Sequence, residues 1–285
     1  MAPADLAEER RSSRRAAISA AAAATLLFLG WVWSLIVNRN TPDGDRGLLL
    51  HFHGHEAELL AIFTSRALAI LFLLPVAIHL SRALRARQDG SNKALAPTGL
   101  LGSVVFGLTT FGVAVALAVI SSDYADRSAK TTAAAHDAVH EPAFVVLSIL
   151  QFAGRLSLGF WFVLASLSAM RVGLLTRFMG VLGAIIGPLL VLFPSPLVDP
   201  ILCFWLLALA TLFFGYWPRG VPPAWVTGEA VPWPSRAEVL KDTAAETGSP
   251  NGEVDAVGPG VRRSEEGEGT PASAQTARRK RKRRQ

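Results

Sequence analysis

Hydrophobic positions in this chain are gathered into six long runs, 16–37, 59–80, 98–120, 143–170, 174–193 and 197–217, separated by short polar connections. A run of about 20 apolar residues crosses the hydrocarbon core of a bilayer as an α-helix, whereas half-buried strands alternate apolar and polar positions in twos. The pattern therefore predicts an all-α fold, a polytopic transmembrane helix bundle with six spans. Lys and Arg accumulate in connections that stay in the cytoplasm, which checks the span count independently. The segment before the first run carries four of them; 38–58, 81–97 and 121–142 carry two, four and two. Arg171 and Arg177 mark the next connection, 194–196 has none, and the segment after Trp217 has twelve. High and low counts alternate, which predicts both termini in the cytoplasm and 38–58, 121–142 and a tight proline-rich turn outside.

The organisation expected is a basic amino-terminal segment, 1–15, a transmembrane domain, 16–217, a Pro/Trp segment, 218–235, and a tail, 236–285. The first run follows Arg10, Arg11, Arg14 and Arg15 as the core of a signal peptide would. It is longer than the ~7–15 apolar residues of such a core, no small-residue cleavage site follows it, and Trp31 and Trp33 suit an interfacial belt. It reads as a retained anchor. Pro188 lies inside the fifth run and Asp199 near the start of the sixth. Two ordinary short spanning helices are expected there, with half-spanning helices that line a binding site as the alternative. Prolines between Trp217 and Ser235 predict an extended, polyproline-like segment along the membrane surface, with Trp225 and Trp233 at headgroup level. The tail has too little apolar surface to offset its ordering entropy and is expected to be disordered.

Composition refines this picture in two places. Of the 285 residues, 51% are hydrophobic and 18% charged, below the ~25% charged of soluble domains. The lone cysteine, Cys203, lies inside an apolar run, which leaves no disulfide framework and no thiolate zinc cluster. The net charge of +6 matters through its distribution, because Arg278, Arg279, Lys280, Arg281, Lys282, Arg283 and Arg284 close the chain as one block. Such a block attracts anionic headgroups by ~1 kcal/mol per residue near the surface. Nucleic-acid phosphates carry the same charge, but no RNA- or DNA-binding fold accompanies the run, so the bilayer and its anionic lipids are the expected partners.

Polar residues inside the runs carry the first candidate chemistry. Gln151 and Arg155, four residues apart, share a helical face, with Ser148 one turn from Gln151. A central arginine costs ~2.5–3.5 kcal/mol on insertion scales and needs a partner. The candidates are Gln151, hydroxyls such as Ser103, Thr109 and Thr110, water, an anionic lipid or an anionic substrate; Asp199 is the only acidic residue in any run. Arg66 lies about two turns from the outer interface and is expected to snorkel outward to Glu58 or the acidic external loop. Gly180, Gly183 and Gly187 make one smooth face for close packing, in a compact bundle or a homo-oligomer.

Five of the six histidines fall in the expected external connections: His51, His53 and His55 in HFHGHEAE, His136 and His140 in HDAVHEP. A pair at i and i+4, such as His136 and His140, grips one metal ion from a helix face, with Asp137, Glu141, Glu56 or Glu58 to complete or orient the site. Imidazole with carboxylate suits a divalent transition metal such as zinc. The alternatives are a pH-responsive cluster and histidines that are merely solvated. His79 stands alone near the inner end of its run, which argues against a bis-histidine haem.

No GxSxG, P-loop, dinucleotide fingerprint, HExxH or kinase motif occurs, so the sequence lends no support to an enzyme. The segments LSAMRVGLLTRFMGVLGAIIG (167–187) and GYWPRGVPPAWVTGEAVPWPS (215–235) resemble those of a family of bacterial integral membrane proteins from high-GC genomes, with several spans and a tail ending in Lys/Arg. The resemblance implies a helical fold in the bacterial plasma membrane and supplies no catalytic residues; a histidine-rich first external loop is not a feature of that family. The function expected is a non-enzymatic binding, scaffolding or accessory component whose external loops sense or hold a ligand. The alternative is a small-solute or ion transporter, working as a homo-oligomer, with Arg155 and Gln151 in its pathway, and a membrane enzyme with an external metal comes last.

Overall fold

Each of the six hydrophobic runs is helical. The computed structural model describes residues 3–88, 93–127, 129–193, 197–218 and 220–232, among which there is no strand. The helices are α1 (Pro3–Val37), α2 (Gly44–Gly54), α3 (Glu56–Leu71), α4 (Leu73–Arg87), α5 (Leu95–Asp126), α6 (Thr132–Val139), α7 (Pro142–Arg171), α8 (Arg177–Leu192), α9 (Val198–Phe214) and α10 (Pro223–Thr227), with a 3₁₀ turn at Asn38–Asn40. Four stretches, 8–40, 56–87, 95–126 and 142–171, are long and apolar enough to cross a membrane, while α8 and α9 are shorter apolar helices. At 1.5 Å per residue the long stretches extend ~45–50 Å and the short helices ~25 Å. The tail 236–285, with its basic block from Arg278 to Arg284, and Trp233 lie outside the described residues.

Local chemistry sets most of the boundaries. Thr131 and Thr176 cap α6 and α8 by accepting from the amides of Ala134 and Met179, and Pro142 opens α7 at a position where its missing N–H costs nothing. Gly215, at φ +82°, ends α9 in the left-handed conformation that a side chain disfavours. Between α3 and α4 the helix breaks at Phe72, three residues before Pro75, whose ring cannot donate to the Leu71 carbonyl. At the same break the Ser19 hydroxyl of α1 donates to the neighbouring Phe72 carbonyl at 2.6 Å.

The helices close a ring in the order α1, α3–α4, α5, α7, α8, α9 and back to α1, with α2 and α6 at one end and α10 at the other. Small residues bring the axes together. A Cβ on Gly154 would lie 2.5 Å from the Phe106 amide nitrogen, and one on Gly187 2.5 Å from the Gly159 carbonyl. Gly180, Gly183 and Gly187 thus pack inside this chain, against Met170, Ser166 and Gly159 of α7. Hydroxyl and thiol donors add interhelical hydrogen bonds of the kind membrane helices use: Ser65 to the Leu26 carbonyl at 2.7 Å, Ser157 to Thr98 at 3.0 Å, Cys203 to Ala24 at 3.3 Å. The outward faces are apolar as well: Leu101, Leu108, Val119, Ile149, Phe160, Phe178 and Phe204 are all more than half exposed. A ring that is apolar outside and polar at points inside is a membrane protein's arrangement.

The Pro/Trp segment departs from the extended strip expected of it. Pro222 and Pro223 occupy the cap and first position of α10, where proline's fixed φ favours a helix. Trp225 donates its indole N–H to the Leu174 carbonyl at 2.8 Å, stacks on His79, and lies under the Arg87 guanidinium at 5.2 Å. Arg87, its side chain fully buried, donates to both Glu9 carboxylate oxygens and to the Ala83 and Ala224 carbonyls. This part of the segment is therefore locked into the end of the bundle.

Candidate functional site: a polar cleft inside the helix ring

The ring encloses a cleft of about 230 Å³ to which all of its helices but α4 contribute: Leu27 of α1, Arg66 of α3, Phe106 and Thr110 of α5, Gln151 and Arg155 of α7, Leu190 of α8, Asp199 and Leu202 of α9. Its walls are otherwise aliphatic and aromatic, so the polar groups stand out chemically. Gln151 donates to the Thr110 hydroxyl at 3.3 Å, and Thr110 donates to the Phe106 carbonyl at 2.6 Å. Both residues are thereby oriented, and the α5–α7 close approach at Gly154 holds them one turn from Arg155.

Arg66 forms an ion pair with Asp199, in the first turn of α9. This corrects the expectation that Arg66 reaches outward to Glu58. The reason lies in the short hairpin. Arg66 is ten residues along α3 from Glu56, ~15 Å in from the end of the bundle that carries α2, and the first turn of α9 meets it there. A carboxylate at a helix amino terminus, already favoured by the helix dipole, is a nearer counter-ion than the bundle end.

Arg155 is the charge left over. Its Nε is buried with no hydrogen-bond partner among the described residues, and its guanidinium lies 5.8 Å from the Phe106 ring centre, a cation–π contact. None of the side-chain candidates bonds it among the described residues: Gln151 donates to Thr110, Thr109 and Thr110 bond their own helix carbonyls, and the Ser103 hydroxyl is itself without a partner. Two guanidiniums and one carboxylate line the cleft, so its walls carry a net single positive charge. A guanidinium in an apolar, partly enclosed site binds carboxylate or phosphate oxygens strongly, because the surroundings neither screen it nor compete for it.

A second cavity of about 150 Å³ lies beyond the ion pair. It shares Leu27, Phe63, Arg66 and Asp199 with the first and extends past Ser34 and Asn38 to Leu48, His51 and Phe52 of α2. The ion pair is the partition between the two spaces. His51 also faces a third space of about 390 Å³, with His55 and Glu58. The His51 and His55 rings lie 4.6 Å apart, and burial together with the His55 charge lowers the His51 pKa from its ordinary 6.5. His53, Asp137 and Glu141 are exposed. The other predicted pair, His136 and His140, has its rings 3.9 Å apart on α6, and His136 Nδ1 lies 2.9 Å from an Asp45 carboxylate oxygen.

Sequence reasoning missed two partners here, Asp199 for Arg66 and Asp45 for His136. The first had a signal, since a lone acidic residue among apolar runs has to meet one of the few basic ones. The second is 91 residues from its partner in sequence and had none. No family model, curated protein or solved structure matches this chain, so its function is argued from these residues.

Proposed function

We propose that this chain is a six-span protein of the bacterial plasma membrane, with both termini cytoplasmic, that binds a small anionic solute in its central cleft. The observation that carries the reading is Arg155, half-buried inside a ring of apolar helices with an unpartnered Nε and no carboxylate of its own. A charge placed there at a cost of a few kcal/mol is kept where function requires it. Gln151 and Thr110 supply oriented polar groups beside it, and the small volume suits an inorganic oxyanion or a short carboxylate. Binding rather than catalysis is the reading, since the cleft presents cation and amide groups without a nucleophile paired to a base. α8 and α9 cross as a short pair, with the first turn of α9 at the depth of Arg66 and the second cavity beyond it.

Transport is the second reading, favoured by the succession of spaces that meet at Arg66 and Asp199 and lead toward the external end. Thermal unfolding of the purified protein in nanodiscs, in gluconate and then with phosphate, acetate, nitrate or bicarbonate added, tests the binding. At least one small anion raises the Tm of the wild type, leaves that of Arg155→Gln unmoved and partly shifts that of Arg155→Lys, since a ligand at 100 times its Kd adds ~2.7 kcal/mol. Equal shifts in wild type and Arg155→Gln, or none with any anion, overturn the site. Uptake of the same labelled anion into proteoliposomes then separates transport from binding alone.

A further inference from the structure

We propose that Asp45, His136 and His140 form a binding site for a divalent transition metal that fastens α2 to α6. One donor atom from each of the three lies within 4.8 Å of the other two, and among the described residues no other group of three histidine, cysteine or acidic side chains converges in this way. Metal bonds of ~2.0–2.2 Å to imidazole and carboxylate bring three ligands to separations that small side-chain rotations reach from here. The site does not depend on the anion reading of the cleft, since it lies at the end of the bundle and shares no residue with it.

The local structure prepares these ligands. Thr131 caps α6 and places His136 and His140 one turn apart on the same face. The Nδ1 of His140 lies 2.8 Å from the His136 carbonyl, which only accepts; Nδ1 therefore carries the hydrogen, and Nε2 keeps its lone pair for a metal. An imidazole whose other nitrogen is tied to a carbonyl or carboxylate is the usual metal-binding arrangement. Asp45 arrives from the first turn of α2, a separate element, on which Leu49 and Phe52 are buried and hold the helix against the bundle. Two imidazoles and one carboxylate favour zinc, nickel or copper over calcium and magnesium, and they leave a coordination position for water or a further ligand. His51, His53 and His55 belong to the other side of this proposal: they do not join the group and serve as its control.

The consequence is mechanical. Leu48, His51 and Phe52 of α2 line the cavity above Arg66, so a metal that ties α2 to α6 fixes the wall of that space. Zinc titration of the purified full-length chain by calorimetry, with elemental analysis after desalting, tests the site. One zinc per chain is expected in the wild type and in the His51→Ala/His53→Ala/His55→Ala variant, with affinity lowered tenfold or more in both His140→Gln and Asp45→Asn, and calcium inert. Hydrogen exchange supplies a second readout in variants whose Tm in EDTA equals that of the wild type: zinc slows exchange across α6 in the wild type and not in His140→Gln. Absence of stoichiometric zinc, equal affinity in His140→Gln and wild type, or loss in the triple-histidine variant instead overturns the proposal.

Discussion

Asp199→Asn removes the one carboxylate that lines the cleft and leaves two guanidiniums facing the same space, raising the charge of its walls from one positive unit to two. Two unit charges in contact near a protein surface, at an effective dielectric of about 20, interact by ~4 kcal/mol. Breaking a buried pair by removing one partner costs ~3–5 kcal/mol, because the other charge stays buried. The Arg66 side chain is 27% exposed and that of Asp199 13%, and Asn retains one acceptor oxygen, so the cost falls at or just below the lower end of this range, ~2–4 kcal/mol. For an ordered unit of this size ~2–4 °C of Tm accompany each kcal/mol, which predicts a Tm lower by roughly 4–16 °C in detergent or nanodiscs. Charge counting also orders the related variants. Arg66→Met leaves Arg155 and Asp199, net zero, and is milder than Asp199→Asn. Arg66→Met with Asp199→Leu restores the single positive charge and lies within ~1 kcal/mol of the wild type, as apolar replacement of buried ion pairs generally does. A Tm for Asp199→Asn within 1 °C of wild type, or a double variant as unstable as the sum of the singles, refutes the reasoning.

Three further outcomes follow from the same geometry. His51, with its pKa lowered, binds fewer protons folded than unfolded, so native stability is full above pH 6.5 and falls as pH drops through the lowered value; His51→Gln flattens the dependence of Tm on pH between about 7.5 and 5. Gly154→Val forces α5 and α7 apart against backbone and costs ~1–3 kcal/mol or more, while Gly112→Ala, whose Cβ meets only the Leu147 side chain at 3.4 Å, is neutral or gains up to ~1 kcal/mol from helix propensity; equal Tm values for the two variants contradict the packing argument. Arg87→Ala strands the Glu9 carboxylate and removes the guanidinium over Trp225 and its bond to the Ala224 carbonyl, so hydrogen exchange across α10 and up to Val231, whose amide donates to the Val172 carbonyl, rises by tenfold or more while the α5 core stays protected.

What the sequence revealed was what periodicity and charge count report. The positions of the six helical runs, the packing face of Gly180, Gly183 and Gly187 and the cost of placing Arg155 among apolar residues follow from spacing and from charge, both local properties; that Arg155 meets no carboxylate of its own does not. Arg66 could not be read that way. Spacing points outward to Glu58 or the acidic external loop, whereas only the fold brings the first turn of α9, with Asp199, to the depth of Arg66. The Pro/Trp segment failed for the opposite reason. Pro222 and Pro223 read as helix breakers, yet proline at a helix's first position is a starter, and the docking of Trp225 on His79 and Arg87 of α4 and on Leu174 draws on two distant segments. Asp45 and the His136–His140 pair show the same limit, since spacing located the imidazoles and only the fold supplied the carboxylate.

The hairpin's shortness and the cleft's charge are one feature. Helices of 16 and 17 residues extend ~25 Å, less than the ~30 Å hydrocarbon core, and α9 begins opposite Arg66, ten residues inside α3. Within a bilayer the unpaired N–H groups of a helix's first turn lack water, which is why helix ends at membrane depth are buried in protein or line a cavity. Asp199 sets its charge in that first turn, where the helix dipole favours it, Arg66 pairs with it from α3, and their mutual neutralisation lowers the cost of each. Once a polar floor is built there, a second arginine, on α7 two helices further round the ring, enters an environment already adapted to charge. Arg155 is left uncompensated by any carboxylate of its own while Gln151 and Thr110 are oriented beside it. The stabilising pair and the unpaired arginine then divide the work: Arg66 and Asp199 join the start of α9 to α3, and Arg155 is the group available to an anion.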